Sequence, residues 1–180
     1  MCAAASNRAS ALLTSGHGRN DDPVWSPDGR KLAFASDRDG AQNFYVIEPS
    51  VSARETLAYK SDALFKNIAD WSPDGKLWIV DQLDPDTAQN IYLMPAMGGE
   101  MAPVSRLPLR DIGGRFSRDG KWLTYASDES GKFQVMIQSV PAGPRPTPVA
   151  TGGQAWFSRD GKTLAFVNDV TGELWTEDIH

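Results

Sequence analysis

One cysteine and two histidines are all that this chain of 180 residues offers to a disulfide or a soft metal. Cys2 has no second cysteine, so no internal disulfide is available, and a lone thiol says little about compartment. His17 and His180 are too few for a histidine-based metal site. No apolar run approaches the ~18 residues that span a bilayer, which argues against membrane insertion. The opening MCAAASNRASALLTSG lacks a basic segment followed by an apolar one and does not read as a signal peptide. A lipobox would need apolar residues ahead of Cys2, where only Met1 stands. Charge comes in no block of one sign. A net charge of −5 speaks against a nucleic-acid partner or an anionic membrane surface.

Catalytic signatures are absent as well. There is no G-x-S-x-G elbow, P-loop, kinase glycine loop or dinucleotide fingerprint, so no cofactor is expected. Ser15 and His17 stand close together in TSGHG, but no orienting acid at a defined spacing supports a triad, and the stretch reads as a loop between repeats. DRDGAQN and DPDTAQN echo the start of a calcium loop without its later ligands. Asp37, Asp39, Asp84 and Asp86 therefore read as turn residues, and no metal is expected.

What the chain does have is one phrase written four times. WSPDG, WSPDG, FSRDG and FSRDG begin at Trp25, Trp71, Phe116 and Phe157, which are 46, 45 and 41 residues apart. Each phrase ends a short apolar stretch and carries a tight turn: Asp28-Gly29, Asp74-Gly75, Asp119-Gly120 and Asp160-Gly161. Pro27 and Pro73 pre-set the first inner turn position, and Arg118 and Arg159 replace them without abolishing the turn, because proline helps there but is not required. A carboxylate that recurs once per unit is read as structural, since a catalytic acid is not needed four times. An alternating strand follows each turn, then a second Asp/Gly turn, a third strand and a looser fourth segment.

Four antiparallel strands per unit of about 40–45 residues predict an all-β chain of four β-propeller blades. A lone blade has two apolar faces and must stack on neighbours. Small residues stand two positions before each aromatic (Pro23, Ala69, Gly114, Ala155), where inner strands crowd the axis, and the aromatics are expected to pack between blades. The residue between varies: Val24, Asp70, Arg115, Trp156. Of these, Asp70, Arg115 and Trp156 are the candidates for a ligand-binding channel mouth. The second repeat reads as one residue short after Gly75, and Asp81, falling where the other strands are apolar, predicts a bulge or an early strand end.

The expected boundaries are 21–60, 67–108, 112–151 and 153–180. The last unit lacks an outer strand, and residues 8–16, which resemble the fourth-strand segment RPTPVATGG, are expected to complete it. Three architectures fit: a closed four-bladed ring, an open arc of a larger ring, or half of an eight-bladed homodimer.

PVWSPDGRKLAFASDRDG resembles the TolB-type, WD-repeat-like propeller repeat of bacterial proteins, and all four units match from about Leu12 onward. RFSRDGKWLTYASDESGKFQVMIQSVPAGP and ATGGQAWFSRDGKTLAFVND look most like the C-terminal propellers of bacterial membrane serine/threonine kinases. The same repeat opens prolyl-oligopeptidase-like serine peptidases. The resemblance implies six blades in a complete ring, a periplasmic or otherwise extracytoplasmic compartment, and a protein or peptide partner. Two functions follow. One is a non-catalytic binding scaffold for protein, peptide or small ligand. The other is a regulatory or gating propeller of a larger kinase or peptidase whose catalytic domain lies outside this chain.

Overall fold

The computed structural model describes residues 10–14, 18–49, 54–63, 65–85, 88–105, 110–141, 143 and 145–179. Cys2, Ser15, His17, Asp86 and His180 lie outside them. Among the described residues there is no helix. Fifteen strands form four separate antiparallel sheets.

The first blade is β1 (Asn20–Trp25), β2 (Leu32–Asp39), β3 (Ala41–Ile47) and β4 (Thr56–Tyr59), paired in chain order. The second is β5 (Lys66–Trp71), β6 (Leu77–Leu83), β7 (Gln89–Pro95) and β8 (Ala102–Pro103). The third is β9 (Asp111–Phe116), β10 (Trp122–Ser127), β11 (Gln134–Ser139) and β12 (Thr147–Thr151). The fourth has three strands: β13 (Ala155–Phe157), β14 (Thr163–Val167) and β15 (Leu174–Asp178). The first strands lie side by side in the order β1, β5, β9, β13, and among the described residues no comparable packing joins β13 back to β1. The stack is thus an open arc, not a closed four-bladed ring.

The motif turn is built identically four times. Ser26, Ser72, Ser117 and Ser158 each donate their hydroxyl to the Asp two positions on, at 2.6–2.7 Å. Each serine oxygen also accepts the backbone N–H five residues on, at 2.8–3.0 Å. The Asp carboxylate in turn accepts the N–H two residues beyond it. These bonds hold all four carboxyls below the usual range. The closing glycines sit at φ +69° to +76°, a left-handed conformation that disfavours any side chain. No bond in this set needs the N–H at the proline position, so arginine is tolerated there. The turn has the same length in every blade, since each serine N–H reaches the carbonyl five residues on. The second repeat is therefore not one residue short, and Asp81 aligns with Ala35, Ala126 and Val167.

The core lies between blades. Trp71 is 8% exposed and sits among Ala33, Phe44 and Val46 of the first blade and Trp78, Val80 and Met94 of its own. Its ring meets Trp78 edge-on with centroids 5.3 Å apart, and its Nε1–H donates to the Gly75 carbonyl at 3.0 Å. Phe116 packs likewise against Ile79 and Ile91 of the second blade, and Phe157 against Val135 and Ile137 of the third. Trp25 has no preceding blade to enter and is 52% exposed. Gly114 is required by closeness alone: a Cβ there would come within 2.5 Å of Ile79 Cγ2.

Two further expectations are corrected. Residues 10–14 form no strand, and Leu13 packs beside Phe34, Tyr45 and Ile47 on the first blade, so the described part of the N-terminal segment does not complete the fourth. Nor does β6 end or bulge at Asp81. It runs in unbroken register with β7, and the irregularity lies on β5, opposite Val80 and Ile79. The bulge recurs on β1 and β9, whose blades have Ala35 and Ala126 at the position of Asp81, so it does not stem from the odd carboxylate; the three-residue β13 lacks it.

Candidate functional site

A cavity of about 390 Å³ opens along the inner strands. It draws on every blade: Asp22 and Val24 from the first, Asn67 and Asp81 from the second, Gly113 and Arg115 from the third, and Gln154 ahead of β13. Asp22 has φ +49°, which an aspartate tolerates better than most side chains.

The three variable positions separate here. Arg115 lines the cavity, with its Nη1 donating to the carbonyls of Ala69 and Gly114 at 2.8 and 2.7 Å. Asp70 does not line it. One oxygen accepts its neighbour's Trp71 N–H, and the other reaches across to the Phe116 N–H of the third blade, so the carboxylate is spent as a clasp between blades. Burial, the largest effect, pushes its pKa up against those two bonds and Arg115. Trp156 pairs with Ala165 and is 41% exposed, away from the cavity lining.

Asp81 takes the place in the site that Asp70 leaves. It is 6% exposed, and its Oδ2 accepts the Gly113 N–H at 3.3 Å, while its Oδ1 has no partner. Burial pushes its carboxyl up to about 6, with the Gly113 bond and Arg115 opposing and Asp22 adding to the rise. Asn67 also presents a buried, unpartnered Oδ1. The cavity therefore offers acceptors with spare capacity beside one anchored guanidinium, which suits a polar or charged group entering from outside. It offers no nucleophile–base pair. Among the described residues no three His, Cys, Asp or Glu gather as a metal site. Asp81 was readable in the sequence as a carboxylate in a column of small apolar residues. Asp22, Asn67 and Gln154 carried no such signal, because each lies where the repeat places loop or strand-start residues.

No family model matches the chain. It is 34% identical over 123 residues to the Tol-Pal system protein TolB of Bordetella pertussis, an alignment covering 67% of the chain and 27% of that protein. It is 28% identical over 151 residues to the uncharacterized peptidase YuxL of Bacillus subtilis, covering 64% of the chain and 23% of the relative. The chain thus spans about a quarter of the length of these curated relatives. Among solved structures it resembles a TolB from Acinetobacter baumannii (TM-score 0.76, 21% identity, 93% of this chain and 43% of that one). A putative TolB from Agrobacterium tumefaciens gives a TM-score of 0.74 at 24% identity, over 89% of this chain and 58% of that one. A prolyl endopeptidase gives 0.67 at 15%, over 90% and 27%.

Proposed function

We propose that this chain, a bacterial TolB-type β-propeller, is a recognition scaffold that takes a protein or peptide partner at the axial mouth and performs no chemistry of its own. The observation that carries the reading is the pairing, in one cavity fed by all four blades, of Arg115 with the unsatisfied, buried Asp81. Rigid sheets hold both groups before any ligand arrives, which lowers the ordering cost of binding. The name of the Bordetella relative, a Tol-Pal system protein, supports a protein partner in an envelope setting, and we place this chain outside the cytoplasm on that basis.

A peptide library displayed on phage and selected on the 180-residue chain tests the reading. Recovered peptides should lose binding to Arg115→Ala and to Asp81→Asn. A selection that yields only peptides binding both variants as well as the parent would overturn it.

A second reading is favoured by the peptidase relative and by the likeness to a prolyl endopeptidase: a regulatory propeller attached to a catalytic domain. The kinase counterpart of that reading rests on the third and fourth repeats alone. The coding sequence on both sides decides, because a G-x-S-x-G domain downstream or a kinase domain upstream would convert the scaffold into a gate. Assembly is a separate question. Trp25 at one open face, and Leu174 and Trp175 at the other, are the surfaces that a second copy would cover in an eight-bladed ring. A solution mass of twice 19.6 kDa would support that ring, and a monomer would exclude it.

A further inference from the structure

The motif-turn end of the third and fourth blades carries a second surface. It shares no lining residue with the axial cavity, whose Arg115 stands three residues before Arg118 in the chain. On the first two blades the turn tips are Pro27 and Pro73, and on the last two they are Arg118 and Arg159. Neither guanidinium has a hydrogen-bond or ion-pair partner among the described residues. The adjacent carboxylates Asp119 and Asp160 are already engaged by their serines and by the Lys121 and Lys162 N–H groups. Within an acidic chain, these two turns therefore present four cations against two occupied carboxylates.

Between them stands Trp122, 46% exposed, at a position held by Lys31, Leu77 and Thr163 in the other blades. Two cavities meet at its ring. One, of about 260 Å³, lies over the turn tips and is lined by Arg118 and Arg159. The other, of about 380 Å³, runs between the third and fourth sheets and is lined by Ile137, Val149, Phe157 and Ile179. Glu177 and Asp178 stand on β15, the fourth blade's third strand, and line the same cleft.

We propose that this cleft docks an acidic peptide segment carrying one large apolar side chain. Its carboxylates meet Arg118 and Arg159, whose planar forks match carboxylate geometry. Its apolar side chain enters between Trp122 and Phe157, an aromatic anchor site of the kind that dominates peptide affinity. Glu177 and Asp178 repel acidic residues from the outer end, so the acidic part lies toward the turn tips and the chain direction is set. The axial mouth plays no part in this contact, so either surface can fail without the other.

The probe is a fluorescein-labelled octapeptide, Gly-Ser-Asp-Glu-Asp-Phe-Gly-Ser, titrated with the 180-residue chain and read by anisotropy. Saturable binding is expected, weakened by at least about tenfold in the double variant Arg118→Gln/Arg159→Gln and in Trp122→Ala. All three side chains are exposed or half-exposed, so the fold should survive, and Trp122→Phe should retain most of the affinity. Arg30→Gln, on the first blade's turn, should change nothing. Peptides with Asn and Gln for the acids, or Ala for Phe, should bind about tenfold or more weakly. The proposal is overturned by absence of saturable binding, or by binding indifferent to the arginine and Trp122 variants. Loss in Arg115→Ala with none in the arginine pair would overturn it too, as would an oligoglucuronate of equal charge that competes as well as the peptide.

Discussion

Asp70 and Phe116 are 46 residues apart and 2.8 Å from one another: the carboxylate of the second blade accepts the backbone N–H of the third. The aromatic wedge and the acid just ahead of it in the preceding blade thus belong to one joint. Removing the acid strands a part-buried N–H. Asp70→Ala should cost about 1–3 kcal/mol in urea unfolding. Asp70→Asn keeps one acceptor and loses a charge that burial disfavours, so it should cost less. Equal losses in the two variants would mean that the clasp acts through packing and not through its hydrogen bond.

Two glycines separate closeness from backbone conformation. At Gly114 a methyl would collide with Ile79 at the joint between the second and third blades, so Gly114→Ala should destabilise by about 1–3 kcal/mol through overpacking. At Gly161 nothing stands within 4 Å, but φ is +73°, so Gly161→Ala should cost only the left-handed conformation, about 1–2 kcal/mol. Ile79→Ala, which removes the colliding Cγ2, should cost less on the Gly114→Ala background than on the parent, and the same on the Gly161→Ala background as on the parent, which thermal melts of the single and double variants would read.

The wedge aromatics should differ in worth according to whether a blade precedes them. Trp71 is enclosed by two sheets, and Trp71→Ala should cost about 3–5 kcal/mol. Trp25 occupies the same place in the motif but is half exposed, so Trp25→Ala should cost well under half as much. Chemical denaturation at low protein concentration checks this. A Trp25→Ala loss as large as that of Trp71, growing with protein concentration, would instead report a partner blade seated on that face.

The repeat made the blades legible because stacking imposes the same demands four times. A wedge aromatic, a serine–aspartate turn and a left-handed glycine recur wherever those demands recur, and spacing alone exposes them. The axial site was legible only where it broke the pattern. Asp81 is conspicuous in a column of Ala35, Ala126 and Val167, but the sequence offered a strand defect as the explanation, and only the register shows an intact strand with a buried acid. Asp70 looked equally free to face the channel, since nothing in its own blade reveals that the Phe116 N–H lies within reach. The N-terminal segment misled for a related reason. Its likeness to Arg145–Gly153 is a likeness of outer-strand composition, which does not specify the blade to which it docks.

Asp81 gives a pH dependence with a definite sign. Its carboxyl titrates near 6 when folded, against roughly 3.9 in an unfolded chain. Between those values the folded form holds a proton that the unfolded form has released, so stability falls as pH rises from about 4 to about 6 and stays lower above that. The loss should be about 1–3 kcal/mol, given a shift of about two units. Asp70 and Asp111 are also raised by burial and slope the same way. Asp81→Asn should therefore flatten the profile without levelling it, stabilising the chain near pH 7.5 while changing little near pH 4. Urea midpoints of parent and variant at those two pH values measure the difference. A variant no more stable than the parent at pH 7.5 would mean that Arg115 and the Gly113 N–H compensate the buried charge in full.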